Sequence, residues 1–341
     1  MHDFDIVPVN ATDHESVQSL LAIGEAVERH DWLDTMGWQP TYRLMGLIQR
    51  SSDSDVERWA AVADGRVLGW ISADMPVRDN THLVEFELEV HPEHRRKGVG
   101  SALLAHVERR AAELGRDTVT TWAPVPLPGG APVGEATVGF SEAAGYRNTL
   151  ENVVRICDLD GVDDAELERL WSEARERSAG FEAVVFEGTP PEELLDGMAY
   201  MNARMYTDMP LGEWDLQEAD FDAGRVLEHA RLRRERGELH LQVVVRHIES
   251  GEVAGFTEIV VEAGREHHCY QGDTIVDPRF RGHRLGTVLK IANQRRIRDW
   301  RPKMRYVWTG NAESNEHMIA INEAVGYRKF CKEHVYQKKL G

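Results

Sequence analysis

The chain has 341 residues, enough for two domains of ordinary size, and its formal net charge is −18. Such a charge opposes binding to nucleic acid or to an anionic membrane and favours cationic small molecules. The cysteines Cys157, Cys269 and Cys331 are too far apart for a disulfide framework or a zinc site, so we expect reduced thiols and no metal. We recognise no signal peptide and no apolar run of membrane-spanning length, and therefore expect a cytoplasmic protein without membrane association.

The first part of the chain alternates predicted strands and helices. The predicted elements are a strand over residues 4–9, a helix over 13–29, an irregular aromatic-rich segment over 30–40, and strands over 59–63 and 67–73. Asn10 or Thr12 is a suitable N-cap for the helix. Asp64-Gly65 favours the two-residue turn of a hairpin.

The most informative stretch runs over residues 85–115. Apolar and acidic side chains alternate over residues 85–90, which predicts a half-buried strand that His91-Pro92 ends. A basic loop with two glycines, residues 95–100, leads into an amphipathic helix that ends at Gly115. The first N–H groups of a helix lack partners, and nearby cations and glycines let an anion approach them. This stretch therefore predicts a binding site for a diphosphate.

The remaining elements follow in the same style. A linking helix is predicted over residues 161–179, and residues 206–214 parallel the aromatic-rich segment of the first half. The other predicted elements are strands over 117–123, 150–159, 241–247, 253–261, 268–276, 305–309 and 331–338, helices over 191–205, 218–236 and 287–300, helices ending at Gly145 and Val325, and an irregular proline-rich loop over 124–132.

The second half of the chain repeats the first. Gly286 follows Gly100 by 186 positions, and the same offset relates four other pairs: Gly65 and Gly251, Gly69 and Gly255, Pro92 and Pro278, and Trp122 and Trp308. Near the ends of the halves the offset is 181, from Gly145 to Gly326, and at their starts it is 177. An ordered series of matches indicates a duplication. We predict a first domain over residues 1–160, the linking helix, and a second domain over 180–341.

Both loops resemble the coenzyme A loop of the GCN5-related N-acetyltransferase (GNAT) superfamily, a strand ending V-x-P followed by [QR]-x-x-G-x-[GA]. The first half reads Val90-His-Pro and then Arg95-x-x-Gly98-x-Gly100. The second half has the same frame, but Arg284 stands where the family usually has glycine. Either Arg284 still offers its backbone N–H to a phosphate, or it marks a loop that no longer binds. The spacing excludes the G-x-G-x-x-G and G-x-x-x-x-G-K-[ST] nucleotide motifs.

The resemblance implies an α/β fold, a mixed sheet in each of two tandem GNAT domains, and acetyl-CoA or another short acyl-CoA as cofactor. In the family, the strand before the loop and the strand after its helix splay apart, and the pantetheine arm lies between them. The implied cofactor-binding residues are Leu88, Val90, Arg95, Arg96, Lys97, Gly98, Val99, Gly100 and Ser101 in the first half, and Thr274, Val276, Arg281, Gly282, His283, Arg284, Leu285, Gly286, Thr287, Asn311 and Asn315 in the second.

Acyl transfer also needs a base for the amine. Glu87 and Asp273, each three residues before the valine that ends its strand, are the implied catalytic candidates. We favour Asp273, because Glu87 belongs to an acidic stripe that can equally mark a solvent face; a structural role for Asp273 is the competing interpretation. The family's frequent tyrosine, the proposed acid for the leaving thiolate, falls at Ser141 and Asn322, so neither half has it.

The tandem arrangement resembles that of mycothiol synthase-like actinobacterial acyltransferases, in which the second domain is generally catalytic. We therefore expect a CoA-dependent N-acyltransferase, most simply an N-acetyltransferase, that acts on an amine of a small cationic metabolite or antibiotic as a monomer or homodimer. One alternative is an acyl-CoA-binding or sensing protein whose two sites have lost catalysis. An aminoacyl-tRNA-dependent transferase is the other, and the acidic charge disfavours it.

Overall fold

The computed structural model describes residues 3–32, 35, 37–131, 133–134 and 136–341. The chain divides into two compact units. Unit 1 comprises Met1–Asn152, Leu211–Gln217 and Cys331–Gly341, and unit 2 comprises Val153–Pro210 and Glu218–Phe330. None of the helices in these described ranges has the length and apolarity needed to cross a membrane.

Unit 1 is built on one mixed sheet. Its strands are β1 (Asp5–Pro8), β2 (Ser54–Ala63), β3 (Arg66–Pro76), β4 (Leu83–Val90), β5 (Thr118–Pro126), the first part of β6 (Arg147–Asp158) and most of β12 (Arg328–Lys339). The order across the sheet is β1-β2-β3-β4-β5-β12-β6. Its helices are α1 (His14–Asp31), α2 (Pro40–Ile48), α3 (Val99–Glu113) and α4 (Ala136–Ala143).

Helices cover both faces of this sheet. The apolar stripe of α3, which includes Leu103 and Val107, packs against Ile71 and Phe86 on one face. On the opposite face, α1 packs against Trp70. Alternate strand residues point to opposite faces, so β3 and β4 supply both layers of the core. Each buried leucine contributes about 1.5–3 kcal/mol to this packing.

Unit 2 repeats the design. Its strands are the last part of β6, β7 (Phe181–Glu187), β8 (Leu239–His247), β9 (Val253–Val261), β10 (His268–Val276) and β11 (Tyr306–Ala312), in the order β6-β11-β10-β9-β8-β7. Its helices are α5 (Asp164–Arg177), α6 (Leu195–Asp208), α7 (Ala223–Glu235), α8 (Leu285–Trp300) and α9 (Glu316–Ala324).

The predicted linking helix is α5. It begins at an N-cap, Asp163, whose carboxylate accepts hydrogen bonds from two backbone N–H groups of the first turn. Leu167 and Leu170 on its apolar face pack in the core of unit 2 with Ile291 and Ile297 of α8. The helical spacing of these leucines therefore reflects packing.

Two local predictions concern turns. The Asp64-Gly65 hairpin is confirmed, because both residues have positive φ, 49° and 74°, as a two-residue turn of this type requires. The predicted caps of α1 are wrong: Asp13 is the N-cap and accepts a hydrogen bond from the Ser16 N–H at 3.2 Å. Asn10 instead accepts from the Thr12 N–H at 3.0 Å in the preceding turn.

The segment that contains Trp214 does not belong to the unit that its position in the sequence suggests. Leu211–Gln217 belongs to unit 1, although it lies within the second half of the chain. There Trp214 packs edge-to-face against Trp122, with ring centroids 5.4 Å apart. Part of the segment predicted to parallel the aromatic-rich stretch of the first half thus belongs to unit 1. In the corresponding segment of the first half, Leu33, Asp34 and Met36 lie outside the described residues.

Candidate active sites

Each unit contains a fork between two parallel strands. In unit 1, β4 and β5 pair from Leu83–Thr118 to Glu85–Thr120, and beyond this point both strands continue apart. In unit 2, the last paired residues of β10 and β11 are Tyr270 and Trp308. Where the strands separate, a threonine hydroxyl donates across the gap. Thr121 donates to the Phe86 carbonyl at 2.9 Å, and Thr309 donates to the Gln271 carbonyl at 3.0 Å.

The fork also explains why one prediction is wrong. Residues 124–126 were expected to be irregular because of their prolines, yet β5 continues to Pro126. In this part of β5, Pro124 and Pro126 face β12 residues on one side, and the other side is the open arm of the fork. A strand tolerates proline where no ladder partner needs its missing N–H. Pro132, in the same predicted loop, lies outside the described residues.

The two cofactor loops have the same backbone conformation. Arg96 and Gly98 have positive φ in the first loop, 59° and 83°, and Gly282 and Arg284 have positive φ at the equivalent positions, 89° and 58°. Each loop thus places one glycine and one arginine in the left-handed region, in opposite order. Arg284 has therefore kept the loop conformation that glycine usually provides.

Each loop leads into a helix, and the starts of these two helices differ in solvent accessibility. α3 begins at Val99 and α8 at Leu285, so their first N–H groups point outward at the positive end of the helix dipole. Gly100 is half-buried and Ser101 exposed, whereas Gly286 and Thr287 are buried. A Cβ at Gly286 would lie 2.9 Å from Ile321 of α9. The helix start of unit 1 is therefore the more accessible of the two.

An arginine–aspartate clamp holds the start of each loop. Arg95 makes two hydrogen bonds of 2.8 Å to the Asp31 carboxylate at the end of α1, and a third of 3.1 Å to the Val90 carbonyl. In unit 2, Arg281 donates to Asp208 at the end of α6 at 3.0 Å, and its Nε lies 3.4 Å from the Val276 carbonyl. Arg95 and Arg281, predicted as cofactor-binding residues, thus tie their loops to the ends of α1 and α6.

Asp31 and Asp208 were not singled out in the sequence, although the 177-residue offset of the repeat relates them. Burial opposes the ionisation of Asp31, but hydrogen bonds from Arg95 and His30 outweigh it and hold the pKa of Asp31 below its usual range. The clamp is therefore ionised at neutral pH. Exposed cationic side chains at the loop surfaces are Arg96, Lys97 and Arg284, and the His283 ring is exposed beside Arg284.

In unit 1, the acidic stripe of β4 is exposed at Glu85 and Glu87 and buried only at Glu89. Glu89 is buried and accepts hydrogen bonds from Trp70 and from Arg43, each at 3.0 Å. Burial raises the pKa of Glu89 to about 7. Glu87, the predicted base of this half, is exposed and accepts from the same Arg43 at 2.8 Å. Glu87 is thus engaged in an ion pair on the α1 face of the sheet.

In unit 2, a β-bulge interrupts the strand that carries Asp273. The pairing of β10 with β9 shifts between Gln271 and Thr274, so that Gly272 and Asp273 together oppose Glu258. In unit 1, β4 pairs with β3 residue by residue over the matching stretch. A bulge leaves one residue outside the ladder and re-aims its side chain. Only unit 2 therefore combines a fork with a bulge in the described strands that form it.

Asp273 is solvent-accessible, yet a buried ionic group lies against its bulge. Glu258 accepts hydrogen bonds from Arg233 at 2.9 Å and His240 at 2.8 Å. Burial opposes the ionisation of Glu258, but these two partners hold the pKa of Glu258 well below its usual range. The surrounding protein and then the charge of Glu258 raise the pKa of Asp273 to about 6. Asp273 is therefore an exposed carboxylate beside a buried ionic group.

Two further predicted residues, Asn311 and Asn315, have hydrogen-bond partners inside unit 2. Asn315 is the N-cap of α9 and accepts from the Met318 N–H at 3.1 Å. Asn311 Oδ1 accepts from Arg155 at 2.8 Å and from Asn322 at 3.1 Å. These side chains shape the β11 arm of the fork, together with the first turn of the helix that follows it.

Comparison with known proteins identifies this architecture. The chain belongs to the acetyltransferase (GNAT) family, whose model matches residues 20–126 and 204–327, more than half of the chain. Members of this family typically bind acyl-CoA. The family prediction is thus confirmed, with one match in each half of the chain.

Particular relatives agree with this assignment. A mycothiol acetyltransferase from Kineococcus radiotolerans is 32% identical over 136 residues, which cover 40% of this chain and 41% of that protein. The alignment thus spans about two fifths of that relative. A tandem GNAT protein from the clavulanic acid biosynthesis pathway matches 99% of both chains with a TM-score of 0.81 at 24% identity. A GCN5-related N-acetyltransferase from Sphaerobacter thermophilus matches 99% of this chain and 96% of its own, with a TM-score of 0.65 at 16% identity. At these identities the two structures confirm the predicted tandem GNAT fold.

Proposed function

We propose that this protein transfers an acyl group, most simply the acetyl group of acetyl-CoA, to an amine of a small cationic metabolite or antibiotic. Unit 2 carries out the transfer, and unit 1 binds acyl-CoA without turnover. The proposal is supported by the bulge of β10, which interrupts the ladder at Gly272 and Asp273 just beyond the last residue that pairs with β11, and by the exposure of Asp273.

Acyl transfer in unit 2 requires cofactor binding, polarisation of the thioester carbonyl and deprotonation of the amine. The fork receives the thioester arm, and the N–H groups at the start of α8 bind the diphosphate. At the bulge, an N–H released from the ladder polarises the thioester carbonyl. Asp273 takes the proton of the amine, whose nitrogen then forms the amide bond as the carbon–sulfur bond breaks. Proximity in the fork supplies much of the remaining rate enhancement.

Unit 1 has the better anion site but lacks the catalytic features. Its helix start is more accessible, and Arg96 and Lys97 are exposed beside it. Its β4 has no bulge over the paired residues, and Glu87 is held by Arg43. We expect a unit with an accessible helix start and without these catalytic features to bind acyl-CoA without turnover.

The nature of the acceptor rests on charge. A formal net charge of −18 attracts cationic amines and repels anionic ones. The name of the Kineococcus relative supports acetyl transfer, but the shared region is too short to carry over its substrate.

The test is release of the coenzyme A thiol from acetyl-CoA with a panel of aminoglycosides, polyamines and peptide amines. We expect turnover with at least one cationic amine, and Asp273→Asn to lower kcat/KM by about 10²-fold or more, as for loss of a general base. Glu87→Gln, the matched change in unit 1, should leave kcat/KM within a few-fold. Loss of turnover in Glu87→Gln but not in Asp273→Asn would overturn the assignment to unit 2.

A second candidate is an acyl-CoA-binding protein without catalysis. The observation that favours it is the burial of Gly286 and Thr287, which restricts access to the helix start of unit 2. This candidate predicts acetyl-CoA binding to unit 1 and no thiol release with any amine. Turnover with one amine would exclude it.

A further inference from the structure

A buried arginine in unit 2 has no carboxylate partner among the described residues. Arg155 of β6 is fully buried, and its Nη1 donates to Asn311 Oδ1 at 2.8 Å. Its Nε and Nη2 have no hydrogen-bond partner among the described residues. Burial lowers the pKa of Arg155, although even a lowered arginine pKa leaves the group charged at neutral pH. An unpaired cation in the interior costs several kcal/mol, so its retention calls for a compensating role.

This charge lies behind one arm of the fork. Asn311 belongs to β11 beyond Trp308, the last residue that pairs with β10. Asn311 shares a strand face with Thr309, whose hydroxyl reaches across to β10 at the point of separation. Asn311 Oδ1 also accepts from Asn322 of α9, which fixes its orientation. The guanidinium is therefore anchored to the strand that forms the fork wall.

The surroundings do not neutralise it. Glu313 and Glu323 act on Arg155 only through space, and neither forms an ion pair with it. Lys290, another buried basic residue of unit 2, has its Nζ 5.4 Å from the centroid of the Tyr327 ring. Arg155 thus remains a buried guanidinium without an ion pair among the described residues.

Unit 1 has a neutral group at the matching position. The 181-residue offset relates Arg155 to Tyr336 of β12, the strand beside β5 in unit 1. Tyr336 donates to Glu142 at 3.1 Å. In the helix behind the loop, where the offset is 186, Lys290 matches the apolar Leu104 of α3. A buried guanidinium therefore occupies this strand position in unit 2, and a tyrosine occupies it in unit 1.

We propose that Arg155 is the positive charge that stabilises the thiolate expelled from an acyl-CoA in the fork of unit 2. The inference rests on the proposed function. When the amine nitrogen bonds to the acyl carbon, the carbon–sulfur electron pair passes to sulfur, and Asp273 holds the proton that the amine loses. A nearby cation in a low-dielectric interior stabilises this sulfur anion, which takes a proton from water after release.

The experiment titrates the thiol of bound coenzyme A, which needs no acceptor. Full-length Gly100→Trp, in which the first loop is blocked, is saturated with coenzyme A, and thiolate absorbance is followed against pH. We expect the bound thiol to ionise about one pH unit or more below free coenzyme A. Arg155→Gln should return it to the free value. Asn311→Asp should do the same, because it places a carboxylate beside the guanidinium without removing it.

Lys290→Leu is the control, since leucine stands at the matching position of unit 1. It should keep the shift. Calorimetry checks that each variant still binds coenzyme A, and circular dichroism checks that it folds; if Arg155→Gln does not fold, Asn311→Asp decides. A bound thiol with the free value in the parent, or a shift that Lys290→Leu removes and Arg155→Gln keeps, would overturn the inference alone. If the parent does not bind coenzyme A, the proposed function of unit 2 fails and the inference fails with it.

Discussion

Gly98 and Arg284 occupy equivalent positions in the two cofactor loops and adopt the same left-handed conformation. Their φ and ψ are 83° and −4° for Gly98, and 58° and 22° for Arg284. Each is the residue before the first turn of the helix that follows its loop. The backbone must turn there to present the helix N–H groups, whatever the side chain. For arginine this conformation costs about 1–2 kcal/mol.

Arg284→Gly should therefore stabilise unit 2. We expect the free energy of unfolding to rise by about 1 kcal/mol, because relief of the backbone strain exceeds the extra chain entropy of glycine. Chemical denaturation measures this change. Arg96→Gly, which replaces the equivalent strained arginine of the first loop, should give a similar gain. Destabilisation by both substitutions would show that the arginine side chains, and not the backbone, determine the loop.

The Arg95–Asp31 clamp should contribute to both stability and cofactor affinity. Asp31→Asn removes the charge of a largely buried bidentate pair, and we expect unfolding to become easier by about 2 kcal/mol and acetyl-CoA to bind more weakly. The control is Glu25→Gln, which breaks an exposed ion pair on the same helix and should cost less than about 0.5 kcal/mol.

The clamp also predicts a pH dependence. Because the folded pKa of Asp31 is below its unfolded value, its stabilisation is present above the unfolded pKa, about 4, and is lost as pH falls through the folded one. The difference in stability between wild type and Asp31→Asn should therefore shrink below about pH 4. A difference that is constant from pH 7 to pH 3 would contradict an ionised clamp.

The bulge of β10 depends on the absence of a side chain at Gly272. A Cβ there would lie 2.6 Å from Oε1 of the buried Glu258, which Arg233 and His240 hold in place. We expect Gly272→Ala to cost about 1–3 kcal/mol of stability and to lower acyl transfer. Gly310→Ala is the matched control, since a Cβ at this fork-strand glycine meets no atom within 4 Å. Equal effects of the two substitutions would show that the bulge has no special role.

Lys290 should make stability depend on pH. Burial lowers its pKa to about 7 in the folded protein, against about 10 in the unfolded chain. Between these values the unfolded state binds the extra proton, so this residue makes the free energy of unfolding rise with pH by at most about 1.4 kcal/mol per unit. Lys290→Leu should flatten the rise between pH 7 and 10, as denaturation at each pH can show. Parallel curves for the two proteins would indicate that Lys290 is not buried.

The loops, the hairpin turn and the duplication could be predicted because each depends on a short stretch of chain. Asp64-Gly65 specifies its own turn, and the spacing of Gly98 and Gly100 reports a local need for access to backbone N–H groups. Because the same offsets recur along the chain, the prediction for the first half could be applied to the second.

Non-local features were not predictable in the same way. The pairing of Cys331–Lys339 with β5, and the place of Trp214 in unit 1, depend on which distant strands and loops meet. The repeat predicts domain ranges that follow sequence order, whereas the compact units exchange these segments. The bulge arises because two residues of β10 lie opposite one residue of β9. The two halves align without a gap from Glu87 to Asp273, so the sequence alone gives no sign of this extra residue.

Both duplicated loops should bind coenzyme A. Calorimetric titration of acetyl-CoA into the wild type, Gly100→Trp and Gly286→Trp measures the number of sites, each protein being checked for folding. We expect two equivalents to bind to the wild type and one to each variant. If only one equivalent binds and Gly100→Trp alone abolishes it, unit 2 does not bind the cofactor and Asp273 is not the catalytic base. No binding to the wild type would show that neither loop is a coenzyme A site.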